Sequence, residues 1–123
     1  MDAGDLTLCA QFWNLNFLHN VKARVTPGIQ IDSPAVLNWP TVLIHEFCHL
    51  MVGMLDQQRV DFLGAKVYDA DGNPAIGSGY IDAMYLAKEA KDVAQLNPDN
   101  YAYFAQCIAN WEWDWRNGIA KAW

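Results

Sequence analysis

The stretch Pro40-Thr41-Val42-Leu43-Ile44-His45-Glu46-Phe47-Cys48-His49-Leu50-Met51-Val52-Gly53-Met54-Leu55 decides how the rest of the chain is read. Pro40 suits a first helical position, where its missing N–H has no intrahelical role. Val42, Leu43, Ile44, Phe47, Leu50, Met51, Val52 and Met54 cover every side of the helical wheel. A helix apolar all round is a buried one, so the stretch predicts a buried helix from about Pro40 to about Leu55. Its only strongly polar residues beyond the first turn are His45, Glu46 and His49. Burying such groups is costly unless something satisfies them, and a metal ion would.

Two histidines four apart on a helix point the same way and can hold one Zn²⁺ through their imidazole nitrogens. Glu46, next to the first of them, is not placed as a ligand. It sits where it can take a proton from a zinc-bound water and pass it to a leaving amine. Zinc brings the pKa of such a water to about 7 and polarises a carbonyl. His45-Glu46-Phe47-Cys48-His49 therefore predicts metal-assisted hydrolysis of a peptide bond.

A catalytic zinc usually has three protein ligands. No histidine follows His49, and His19 lies upstream, so the third ligand should be a carboxylate. The candidates in order are Asp56, Asp61, Asp69, Asp71, Asp82 and Glu89. Asp69 and Asp71 fall in an expected turn, where Asp is common for backbone reasons alone. They also form an incomplete calcium-loop pattern. Asp82 and Glu89 face inward on a predicted helix, where carboxylates need a reason.

That second helix is predicted over Ile81–Leu96. Asp82, Tyr85, Leu86, Glu89, Val93 and Leu96 share one stripe, and Lys88, Lys91, Asp92 and Gln95 form the wet face. A third helix starts with Asn97 as N-cap and Pro98 and Asp99 in its first turn. Its expected buried stripe is Tyr101, Phe104, Ala105, Ile108 and Trp111. The alternation Trp111-Glu112-Trp113-Asp114-Trp115 leaves its own conformation undecided. Short strands are expected at Leu6–Cys9 and Ile29–Ile31, and Asp71-Gly72-Asn73-Pro74 reads as a turn linking two more. No internal repeat stands out.

With 123 residues the chain suffices for a single domain, residues 1–123, with a real core. A net charge of −6 argues against nucleic-acid binding, which normally needs a basic stripe. No apolar stretch is long enough to span a bilayer. The start Met1-Asp2-Ala3-Gly4-Asp5 shows no signal peptide. The three cysteines, Cys9, Cys48 and Cys107, allow at most one intrachain pair. Cys9 with Cys107 is the candidate, because Cys48 sits within the metal helix; three reduced thiols are the alternative.

Beyond the metal motif, Gly79-Tyr80-Ile81-Asp82-Ala83-Met84-Tyr85-Leu86 resembles the Gly-Thr-x-Asp-x-x-Tyr-Gly motif of the deuterolysin, or aspzincin, family of zinc endopeptidases. That family includes the peptidyl-lysine metalloendopeptidases. The first Gly, the Asp and the Tyr are kept, and Tyr80 and Leu86 depart from the pattern. Leu8-Cys9-Ala10-Gln11-Phe12-Trp13 and Asn97-Pro98-Asp99-Asn100-Tyr101 with Phe104 are similar to two further segments of the family. The likeness runs, with gaps, from about Thr7 to about Phe104.

The resemblance implies a helix-dominated α+β, zincin-like domain with a small β component. It implies one catalytic Zn²⁺ held by His45, His49 and Asp82, with Glu46 as general base and Tyr85 stabilising the oxyanion. Glu89 would then support the site from behind. It also implies an extracellular setting and polypeptide substrates. With the acidic balance, it raises the expectation of lysine-rich or basic ones. A secreted zinc-binding, antigen-like protein on the same scaffold without turnover is the competing reading.

Overall fold

Asn38 is where the helix carrying His45 and His49 begins. The computed structural model describes residues 25–123, and its first described helix, α1, spans Trp39–Val52. The Asn38 side chain accepts hydrogen bonds from the Thr41 backbone N–H at 3.2 Å and the Thr41 hydroxyl at 3.0 Å. It thus satisfies a donor that the first turn leaves free. Gly53 ends the helix in the left-handed region at φ 69°, with its N–H returned to the carbonyls of Cys48 and His49. A side chain there would be strained, and glycine is not.

The expected end at Leu55 is thus three residues too late, because Gly53 turns the chain first. The expectation of burial on all sides also needs correction. Phe47, Leu50, Met51, Val52 and Leu55 are exposed among the described residues. The all-round apolar wheel overstated what neighbouring elements cover.

Where one helix was expected over Ile81–Leu96 there are two, α2 (Gly79–Glu89) and α3 (Lys91–Ala94). The break falls at Ala90, whose backbone leaves the helical region at φ −142°, ψ 61°. Neither Gly nor Pro marks the break. It re-aims the stripe, so that Ala94 packs with Leu86 and Val60 in a small core while Leu96 is exposed.

Helix α4 (Pro98–Ala109) starts as the sequence predicts, on Asn97 with Pro98 in its first turn. Its inner face is not the predicted one. Pro98, Ala102, Tyr103 and Gln106 are buried, whereas Tyr101, Phe104, Ile108 and Trp111 are exposed. Gln106 is the reason a polar residue faces inward. Its amide N–H₂ donates to the carbonyls of Ile31 at 2.8 Å and Val36 at 3.3 Å. Its carbonyl accepts from the Thr41 hydroxyl at 3.1 Å. A buried amide with its partners in place costs little, and this one ties α4 to both α1 and the segment before it.

α1 packs chiefly on α4, and α2 packs on both α3 and α4. The main core joins Val25, Ile31, Val36, Ala83, Tyr103, Trp115 and Ala120. The segment Trp111–Trp115, undecided from sequence, forms a turn whose Asp114 pairs across an isolated bridge with Lys121. The Arg116 guanidinium grips Asp114 with its Nε at 3.0 Å and its Nη2 at 2.6 Å, which holds that carboxyl well below the usual range, at about 2. The expected strand at Ile29–Ile31 is reduced to a bridge between Gln30 and Ile119, and Leu6–Cys9 lies outside the described residues.

Between α1 and α2 lies the β component, and it contains a repeat that the sequence did not announce. Val60-Asp61-Phe62-Leu63-Gly64-Ala65-Lys66 and Tyr68-Asp69-Ala70-Asp71-Gly72-Asn73-Pro74 form two tight turns eight residues apart. In each turn one aspartate oxygen accepts two backbone N–H groups: those of Leu63 and Ala65 for Asp61, and of Asp71 and Asn73 for Asp69. In each, a glycine of positive φ follows at the tip, Gly64 and Gly72. The stems then close on one another, Arg59 N–H to Ala75 O, Ala75 N–H to Val67 O and Val67 N–H to Arg59 O, at 2.8, 3.1 and 3.0 Å. Only the two aspartates and two glycines repeat, which is too little for a periodicity to show in the sequence.

Candidate metal centre

On α1, His45 and His49 lie one turn apart with their Nε2 atoms 3.0 Å from each other. The left-handed turn at Gly53 then folds the chain back over the end of the helix. It brings Asp56 Oδ1 to 3.6 Å from His45 Nε2 and 3.4 Å from His49 Nε2. Among the described residues these three form the one group whose ligand atoms all lie within 4.8 Å of one another. Asp56 is exposed and both histidines are half-buried, so the group is open to solvent on one side.

The other ring nitrogens decide how the imidazoles are charged and aimed. His49 Nδ1 lies 2.7 Å from the Met54 carbonyl, which can only accept, so this nitrogen carries the proton. His45 Nδ1 lies 2.7 Å from Asp99 Oδ1, again an acceptor. On the neutral rings both Nε2 atoms are therefore bare, and their lone pairs meet at 3.0 Å. Such a pair needs a cation between the rings, either a proton on one of them or a metal.

The distances fit a metal. Bonds of 2.0–2.1 Å in a tetrahedron put ligand atoms about 3.3–3.4 Å apart, and the three separations observed are 3.0, 3.4 and 3.6 Å. A histidine whose far nitrogen donates to a carboxylate or carbonyl is also the usual arrangement of a metal-binding histidine, because it fixes tautomer and ring direction. Asp99 does this from α4. Its second oxygen accepts the Gly79 N–H at 3.0 Å, so one carboxylate joins His45 to the start of α2. Glu46 forms no hydrogen bond or ion pair with the described residues, yet it lies close enough for its charge to help hold the proton on His45.

Asp82 and Tyr85 are not brought to this group. The Asp82 carboxylate receives Arg59 Nε at 2.9 Å on one oxygen and the Ser78 N–H at 3.0 Å on the other. It is buried there, closing the start of α2 against the β component. Tyr85 packs against the small core of Val60, Leu86 and Ala94. Glu89 pairs with Lys88 at 3.4 Å. Of the remaining turn aspartates, Asp61 and Asp69 already hold two backbone N–H groups each, and Asp71 is exposed in its turn and outside the group. Cys48 is a free thiol whose pKa burial pushes up. Cys107 is also free, and its expected partner Cys9 lies outside the described residues.

Two contributors escaped the sequence reading. Asp99 was legible only as a first-turn acid of a helix, with nothing to connect it to His45. The Met54 carbonyl is backbone and leaves no mark in a side-chain pattern.

No family model, no curated protein and no solved structure matches the chain. The chemistry of the site therefore rests on its geometry. No described helix is long and apolar enough to cross a membrane.

Two expectations follow from Asp99. Its hydrogen bond to His45 raises the His45 pKa above the ordinary 6.5, against the lowering effect of burial. A protonated ring cannot ligate, so protons compete with a metal from a higher pH than an ordinary histidine would allow. Metal affinity should begin to fall as pH drops through a value above 6.5, as measured by competition with a chromophoric chelator. Asp99→Ala should then move that onset to lower pH. At pH 8, where protons no longer compete, the same variant should bind metal about 10–100-fold more weakly, the usual loss for such a partner. An unchanged onset and affinity would leave Asp99 a structural link only.

Proposed function

We propose that the chain is a zinc-dependent endopeptidase, with His45, His49 and Asp56 as the metal ligands and Glu46 as the general base. The observation that carries this reading is the convergence of two bare imidazole nitrogens and a carboxylate oxygen at 3.0–3.6 Å, beside Glu46, which has no hydrogen bond or ion pair with the described residues. Zinc, when bound, would supply Lewis acidity, bringing a water's pKa towards about 7 and polarising the scissile carbonyl.

The chain's own residues do the rest. Glu46 accepts a proton from the attacking water as its oxygen bonds to the carbonyl carbon. It then delivers that proton to the amine nitrogen as the C–N bond breaks. Asp99 and the Met54 carbonyl hold the two rings in the orientation this requires. The substrate is a polypeptide, and an extracellular setting follows from the family resemblance alone.

A second reading has one specific observation in its favour. Tyr85, the residue the resemblance assigns to the oxyanion, packs in the small core instead. A metal-binding protein without turnover would need no such donor.

The experiment is hydrolysis of a fluorescent casein by the purified chain with one equivalent of zinc. Cleavage that stops with a chelator and returns with zinc supports the endopeptidase. Stoichiometric zinc without cleavage supports the second reading, and failure to bind zinc overturns both.

A further inference from the structure

Beside His45, between α1 and α4, lies a cavity of about 200 Å³ that the metal chemistry does not use. Leu37, Val42, Ala102 and Tyr103 form its apolar wall, and Thr41, His45 and Asp99 its polar one. We propose that this cavity is a subsite for an apolar side chain, of isobutyl or benzyl size, next to the bond that is cut. The proposal deepens the endopeptidase reading and rests on it for the identity of the ligand as a peptide.

Size is the first argument. An apolar cavity of about 150 Å³ is enough to take up benzene, so this one has room for a leucine or phenylalanine side chain. The second argument is that the lining is mostly carbon, and that Thr41, His45 and Asp99 already hold hydrogen bonds. The Thr41 hydroxyl bonds to Asn38 and Gln106. Asp99 holds His45 Nδ1 on one oxygen and the Gly79 N–H on the other. His45 Nδ1 is the nitrogen that Asp99 holds. Tyr103 is a neutral phenol, its pKa pushed up chiefly by burial and further by Asp99 and Asp32. An alkyl or phenyl group leaves water for a lining that is mostly carbon, whereas an ammonium gives up its hydration for one carboxylate that already holds two donors.

Position is the third argument. Val42 and His45 are three apart on α1, a rise of about 4.5 Å along the helix. His45 itself lines the cavity and turns its Nε2 to the ligand group, so cavity and ligand group share one imidazole ring.

The test uses two probes of similar length, isocaproamide and the amine 4-aminobutanamide, and reads the methyl NMR signals of Val42 and Ala102 in the intact chain. Isocaproamide should shift both signals saturably, and the amine should bind at least ten-fold more weakly. Ala102→Leu, which fills the cavity, should abolish the isocaproamide response while leaving zinc stoichiometry unchanged. Val42→Phe fills the same space from the other wall and serves if the first variant does not fold. No shift with isocaproamide, an equal or stronger response to the amine, or binding that survives filling overturns the proposal. Because binding is read without turnover, the two readings fail separately. A responsive cavity in a chain that cuts nothing sinks the peptidase. Cleavage with no preference for Leu or Phe over Lys beside the cut bond sinks the subsite.

Discussion

Glu46→Gln is expected to keep one equivalent of zinc and to lose peptide hydrolysis by about 10²–10⁴-fold or more. The substitution is nearly isosteric and leaves the side chain polar, but an amide cannot take up the proton of an attacking water. Glu46 has no ion pair with the described residues to lose, so the fold should not register the change. The prediction separates three roles for the residue. Near-normal turnover would show that the peptidase reading is wrong. Loss of the metal would make Glu46 a ligand, contrary to its place outside the group of His45, His49 and Asp56. Retained metal with lost turnover is the signature of a base. The natural measurements are zinc by mass spectrometry on the purified variant and kcat/KM on one peptide, since a pure loss in kcat points to the chemical step.

How far the sequence could be read differs from element to element for identifiable reasons. The starts of α1 and α4 were legible because their signals are local. Pro40 for one helix, and Asn97 and Pro98 for the other, act through their own backbone and its nearest neighbours, whereas the stop at Gly53 was read through. The buried faces were not legible, because a face is chosen by what packs on it. Gln106 is inside and Phe104 outside because carbonyls of Ile31 and Val36, some seventy residues away in sequence, are there to satisfy the amide. A count of apolar residues at helical spacing cannot contain that fact. The same holds for the break at Ala90, which no glycine or proline announces.

The site divides along the same line. His45 and His49 come together because residues four apart on a helix share a face. The third ligand is a tertiary matter. Six carboxylates were open, and the resemblance pointed to Asp82. Asp56 reaches the histidines only because Gly53 takes the left-handed turn, and the Met54 carbonyl meets His49 through the same turn. Asp99 arrives from α4, fifty-four residues away from His45. Local spacing specified the part of the site that one helix builds, and chain reversal specified the rest.

The third ligand is therefore the assignment to test most sharply, with Asp56→Ala and Asp82→Ala compared side by side. Asp56→Ala should weaken zinc binding by more than about 100-fold, beyond the loss expected for a partner behind a ligand. Its effect on the metal-free fold should be small, because Asp56 is exposed. Asp82→Ala should show the reverse. The zinc affinity should hold to within a few-fold, while the metal-free chain loses about 0.5–1.5 kcal/mol, the net worth of the Ser78 N–H hydrogen bond, since water can reach the exposed Ser78. The Arg59 partner adds little to that figure, since it is half-exposed and screened by water. Thermal melting of the metal-free variants and chelator competition of the zinc-loaded ones read the two quantities independently. Should Asp82→Ala strip the metal while Asp56→Ala retains it, Asp82 must leave both Arg59 and Ser78 to reach the histidines. The site would then close only when zinc binds, with the start of α2 as the moving part.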